Sequence, residues 1–185
     1  MAREEILRRI RAASQGRHPV ELPAPMGAGA KADLELFRER LTANRVKVFS
    51  FQDLTSAEEW IKAEFAGQAG AAIDPLVPAE LRPELAPLPP ESAPLGVSLA
   101  SGAVAELGTL LFSNQASRRV SLLVPWHLVW VKSSTVFPDL AAALAALPEA
   151  SATGLHSGPS RSSDIGQMTI FGMHGPGQLW VGIVP

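Results

Sequence analysis

Val46-Lys47-Val48-Phe49, then Thr55-Ser56-Ala57-Glu58-Glu59-Trp60-Ile61-Lys62-Ala63-Glu64-Phe65, then Gly70-Ala71-Ala72-Ile73 form a pattern of strand, helix and strand. The first segment is short and β-branched, which suits a strand. In the second, Ala57, Trp60, Ile61 and Phe65 recur at helical spacing and define a buried face. Ser56 and Glu59 stand at capping-box spacing. The third reads as another short strand, closed by Asp74-Pro75. A strand returning to a parallel neighbour needs a crossover, and a helix of this length supplies it. The expected fold class is therefore α/β, with a crossover unit and a parallel sheet.

Downstream, residues 75–94 are dense in proline and read as a short helix flanked by irregular chain. Residues 97–99, 109–112, 120–124 and 128–131 each read as a strand, with turn signals between them. Ser133-Ser134-Thr135 offers N-caps for a helix whose face is Phe137, Leu140, Leu144 and Leu147, with Pro138 in its first turn. Pro148 ends that helix, and residues 154–184 alternate short strands with glycine-rich turns. Trp126, Trp130 and Trp180 lie in or beside strands and read as core or interface, since no basic residues interleave with them.

Upstream, Leu34, Phe37 and Leu41 mark one helix. Ile6 and Ile10, four apart behind Glu4 and Glu5, mark a shorter one at the start. Between them runs a loop or arm containing Pro19, Pro23, Pro25, Gly27 and Gly29. The expected organisation is an N-terminal helix and arm over residues 1–30 and one α/β domain over 31–185. There is no internal repeat.

Composition narrows the function classes. Of the 185 residues, 46% are hydrophobic and 18% charged, and the formal net charge is −2, so there is core material but no basic field to attract nucleic acid. Cysteine is absent, which excludes disulfides, thiolate chemistry and cysteine-held zinc or iron–sulfur clusters within these residues. The apolar run 120–131 is too short for the roughly 20 residues of a membrane span and is broken by Pro125. The start of the chain lacks a signal-peptide core. A cytoplasmic protein with no membrane span is expected.

Three segments carry chemistry. In Ala105-Glu106-Leu107-Gly108-Thr109, a carboxylate stands beside a glycine at the mouth of a buried strand. Glu106 there suits a base, nucleophile or ligand anchor, with Gly108 admitting a close approach. The alternative is a turn cap or a partner for an arginine. Ser157-Gly158-Pro159-Ser160-Arg161-Ser162-Ser163-Asp164-Ile165 gathers hydroxyls, a glycine and one arginine. A helical turn beginning near Ser162 or Ser163 would aim free amides at an anion, and Arg161 would grip it. The alternative is a well-capped surface turn. It is neither a Walker A loop nor a dinucleotide fingerprint. In Gly172-Met173-His174-Gly175-Pro176-Gly177, a histidine sits among glycines, placed to donate to an oxyanion or move a proton, or else simply to close a hairpin. Neither a metal site from His156, Asp164 and His174 nor a Ser-His-Asp triad has supporting spacing, so no metal is expected.

Taken in order, Ala105-Glu106 with Gly108-Thr109, Arg119 with Ser121-Leu122-Leu123-Val124-Pro125 and His127, Ser157-Gly158-Pro159-Ser160 with Asp164-Ile165, and Gly172 with His174-Gly175-Pro176 resemble the LUD-domain family, of the lactate-utilisation protein C type. The resemblance runs from about Gly96 onward. It implies a fold like that of ribose-phosphate isomerases, CoA transferases and formyltetrahydrofolate cyclo-ligases: α/β, with a mixed, mostly parallel sheet covered by helices. It implies work beside iron–sulfur protein subunits of an L-lactate-oxidising system, and no cofactor on this chain. It marks Glu106 and His174 as motif positions, and the reading of their segments makes these two the catalytic candidates. It also singles out Gly108, Thr109, Ser157, Gly158, Pro159, Ser160, Asp164 and Gly175 as positions around a small anionic ligand, to which the reading of the loop adds Arg161, Ser162 and Ser163. Leu107 replaces a smaller or polar residue of related sequences, and Ser162-Ser163 replaces Thr-Ala. Three functions stay open: an accessory ligand-binding subunit, an enzyme using Glu106 as CoA transferases use theirs, and a scaffold whose N-terminal arm meets a partner.

Overall fold

In a computed structural model, which describes residues 3–15, 31–113, 118–148, 150, 152–163 and 168–185, the elements follow in this order. They are α1 (Arg3–Ser14), α2 (Leu34–Ala43), β1 (Lys47–Ser50), α3 (Leu54–Phe65), β2 (Ala71–Ile73), β3 (Leu95–Leu99), β4 (Gly102–Val104) and β5 (Thr109–Ser113). Then come α4 (Arg118–Leu123), β6 (Trp126–Lys132), β7 (Val136–Phe137), α5 (Leu140–Ala146), β8 (Thr153–His156), β9 (Arg161–Ser163), β10 (Thr169–Phe171) and β11 (Gln178–Val184). Short 3-10 turns at Ala79–Leu81 and Ser133–Thr135 complete the path.

The crossover pattern yields an all-parallel sheet in the order β1-β11-β6-β3-β2. Its central strands are covered on both faces, which is why β6 and β11 read as nearly unbroken apolar runs. A second sheet, β7-β4-β5-β8, combines antiparallel and parallel pairs, and β9 and β10 form a separate hairpin. The α/β class is as expected, with the antiparallel pairing segregated from the parallel sheet.

The layers follow from alternation along the strands. Leu95, Val97, Leu128, Trp130 and Trp180 face α3, meeting Ala57, Ile61 and Phe65. Val129, Val131, Val181 and Ile183 face the other way, onto Leu110 and Phe112 of the second sheet and Phe37 and Leu41 of α2. The outer face of the second sheet, Val104 and Leu111, is closed by Ala143 of α5. Trp130 and Trp180 are therefore core, and the Trp130 indole donates to Leu81 O at 2.9 Å.

Four local expectations are corrected. Residues 120–124 are not a strand: α4 covers most of them. Val120 and Val124, four apart, are buried against β3, while Leu122 and Leu123 are exposed, which is helical and not alternating burial. The capping-box serine is displaced one turn, since Asp53 caps α3, accepting from Ser56 N at 2.8 Å. The last helix is capped by Asp139, accepting from Ala142 N at 2.7 Å, because Val136–Phe137 is drawn into the second sheet beside β4. Leu144 consequently points to solvent. Ser162 and Ser163 begin no helical turn, because Arg161–Ser163 is a strand paired with Thr169–Phe171. Asp164 and Ile165 lie outside the described residues, as do the whole proline-rich arm and residues 114–117.

Candidate functional site

The second motif segment is tied to the first through side chains and to the third chiefly through backbone. At the first, Gly108 adopts φ +61°, and a Cβ there would lie 2.6 Å from Arg40 Cβ, so only glycine lets the turn press onto α2. Thr109 opens β5 and is buried, and its hydroxyl lies 2.7 Å from that of Ser157, directly past the Leu110–His156 pair. Glu106 is exposed, with its amide donating to Pro138 O at 3.2 Å. Its carboxylate forms no ion pair or hydrogen bond with a described residue.

The second and third segments form one unit around Ser160. Its amide donates to Pro176 O at 2.7 Å, its carbonyl accepts from Gly172 N at 3.0 Å, and its hydroxyl accepts from His174 N at 3.2 Å. Gly175 packs on the Ser160 side chain. Gly158 lies against Asn44 O, and Arg161 donates to Asn44 Oδ1 at 3.0 Å, so the unit is fastened to the end of α2. The Arg45 guanidinium sits 5.1 Å from the Phe171 ring centre. Gly177 N donates to Pro125 O at 2.9 Å, fixing the loop where β6 begins. His174 is exposed and lines a cleft of ≈ 450 Å³ with Leu122, Leu123, Pro125, Met173 and Gly175.

Thus Thr109 meets Ser157, and Ser160 meets Gly172, His174 and Gly175. Glu106 does not line the His174 cleft. Pro159 is buried beneath the loop, while Ser162 and Ser163 belong to the hairpin, where the Ser163 hydroxyl lies 3.3 Å from Thr169 Oγ1. Among the described residues no group of three metal-ligating side chains gathers.

Position in the sheet matters here. Arg45, Pro125 and Gly177 precede β1, β6 and β11, so the unit sits at the amino ends of the parallel strands. Open α/β sheets usually bind ligands at the carboxyl ends. At that opposite edge lies a cleft of ≈ 380 Å³ that includes Arg38, Ser50, Phe51 and Ser133, where Arg38 Nη1 donates to Ser50 Oγ at 3.4 Å. Sequence reading missed it, because Arg38 and Ser133 are separated by most of the chain and carry no motif. It also missed the chemistry of His127, which points inward from β6 with Nε2 3.0 Å from Ser98 Oγ. Burial, reinforced by nearby His156, pushes the His127 pKa down to about 3, and burial lowers that of His156 too.

Residues 91–184, just over half the chain, match the profile of the LUD domain, and this segment contains all three motif loops. Lactate utilization protein C of Halalkalibacterium halodurans is 34% identical over 96 residues, covering 46% of this chain and 42% of that protein. Lactate utilization protein C 1 of Bacillus mycoides is 33% identical over 96 residues, covering 46% and 41%. The matched part thus spans about two fifths of these relatives. A crystal structure of a DUF162 family protein from Deinococcus radiodurans superposes with a TM-score of 0.61 at 18% identity, covering 82% of this chain and 96% of that one, which is a likeness of fold. The ordered loops, the sheet that carries them and the profile matched across both agree: the chain belongs to the LUD domain family.

Proposed function

We propose that this chain is an accessory, ligand-binding component of a lactate-utilisation system, acting beside iron–sulfur proteins and binding a small anion at the loops around Ser160. The observation that carries the reading is the sequence identity with proteins named for lactate utilization, together with the LUD-domain match across residues 91–184. The absence of cysteine from these 185 residues supports a division of labour, since redox clusters would have to reside on partners. Arg161 and the glycine-flanked His174 supply donors suited to an anion. Clean deletion of the gene should abolish growth on L-lactate, and the tagged protein should co-purify with iron–sulfur partners. Normal growth after deletion, with no second copy present, would defeat the reading.

A second reading rests on Glu106. Its carboxylate is exposed, without a described partner, and stands two residues from the positive-φ Gly108. This supports an enzyme of the CoA transferase or cyclo-ligase class acting on an acyl or phosphorylated small molecule. In that case Glu106→Gln should abolish turnover of acyl-CoA or folate substrates while leaving the melting temperature unchanged. A flat thermal-shift screen against those compounds would favour the accessory role.

A further inference from the structure

The layer between the two sheets is apolar along most of its length, but at one end it becomes polar. Ser98 and His127 point into it from the parallel sheet, and His156 points into it from β8, with Phe112 between the two imidazoles. The Phe112 ring centre lies 6.0 Å from that of His127 and 4.8 Å from that of His156. His127 is fully buried, and its Nδ1 has no hydrogen-bond partner among the described residues. A buried polar atom of this kind is rare and costly, so His127 Nδ1 needs an explanation.

This end of the layer opens to solvent. A cleft of ≈ 240 Å³ runs between β8 and α4, lined by Phe112, Arg118, Leu122, Ala152, Gly154 and His156 among others. It is distinct from the His174 cleft, from which Leu122 of α4 divides it. Among the described residues its lining holds one cation, Arg118, and no carboxylate. Of the two neighbouring arginines, Arg119 pairs with Glu91, whereas Arg118 forms no ion pair with a described residue. Gly154 gives access to the ring: a Cβ there would stand 3.3 Å from His156 Nε2. The volume is below the roughly 300–1,000 Å³ of drug-sized sites and suits a compound of a few carbons.

We propose that this cleft binds a small organic carboxylate, with the Arg118 guanidinium and His156 Nε2–H donating to its oxygens and Phe112, Leu122 and Ala152 receiving its alkyl end. The charge at the mouth selects an anion, and the guanidinium fork matches a carboxylate in two-point contact. Ser121 and Thr153 also line the cleft, but its apolar wall of Phe112, Leu122 and Ala152 selects against inorganic ions, whose faces are all polar. His156 stays neutral near pH 7 because it is partly buried. It therefore keeps one donor and one acceptor nitrogen and reads the ligand by hydrogen bonding. The inference does not depend on the lactate reading, since it uses none of the motif loops around Ser160.

Titration of the full chain with propionate, L-lactate and pyruvate, followed through its histidine ring resonances, tests the site. At least one of the three should shift His156 saturably, with millimolar or tighter affinity, whether or not His174 also moves through the Ser160 loops. Arg118→Gln, a change at an exposed residue, should weaken binding about tenfold or more without altering the melting temperature. Gly154→Ala should weaken it too, by crowding His156 Nε2. Inorganic phosphate binding as tightly as the carboxylates would overturn the assigned class. Failure of all three carboxylates to shift His156, or wild-type affinity in Arg118→Gln, would overturn the site.

Discussion

His127 shows how a single side chain couples burial to pH. Its unfolded imidazole titrates near 6.5 and its folded one at about 3. As pH falls through that window the unfolded chain takes up a proton that the native state refuses. Stability is therefore fully held above about pH 6.5 and declines below it by about 1.4 kcal/mol per pH unit. His156, lowered by its own burial, acts in the same direction. Urea unfolding at pH 7, 6 and 5 should show this slope in the wild type and a clearly shallower one in His127→Met. Equal slopes would mean that His127 is not held neutral. Gly108 makes a different residue-scale demand, since it combines a positive φ with a backbone approach to α2. Gly108→Ala should cost about 1–3 kcal/mol in urea unfolding. The sequence pointed to Gly108 as special but not to its partner, because Arg40 lies far upstream and only folding brings it there.

Among the elements, α4 is the most instructive, because its apolar run reads equally well as a strand. Orientation decides the matter: Gly96 of β3 sits so close beneath it that a Cβ would lie 2.7 Å from Val124 Cγ2 and 3.0 Å from Val120 O. Gly96→Ala should destabilise by about 1–3 kcal/mol through overpacking, while Leu123→Ser, on the exposed face, should change stability by less than about 0.5 kcal/mol. Comparable losses at both would indicate strand-like burial instead. Helix caps give a second element-scale expectation. Asp53→Ala removes the acceptor of Ser56 N and should cost about 1 kcal/mol, measured as a shift in urea midpoint. The helical faces of α2 and α3 were legible because Phe37 and Leu41, and Ala57, Ile61 and Phe65, repeat at 3.6-residue spacing against one sheet. The start of α5 was not, because Val136 and Phe137 were taken up by a strand partner, β4, that local propensity does not reveal.

At the scale of the whole molecule, α1 stands apart energetically. Among the described residues its ion pairs are internal, Glu5 with Arg8 and Arg9, and Ile6 and Leu7 are exposed. A chain of residues 31–185 should keep its stability to within about 0.5 kcal/mol of the full chain by urea unfolding. A larger loss would show that α1 and the arm belong to the core. If they serve a partner instead, the shortened chain should fold normally and lose co-purification.

By itself the sequence determined the class of fold, the apolar faces of its main helices, the glycine-bearing loops and the lack of any thiol, since each of these is set by residue type and by spacing along a few turns of chain. Tertiary structure alone decided which loops touch, that the Ser160 unit sits at the amino ends of the parallel strands, and that Ser98, His127 and His156 meet between two sheets. These contacts join residues tens of positions apart, and the pairing of strands that brings them together is a property of the packed core, which no local pattern encodes.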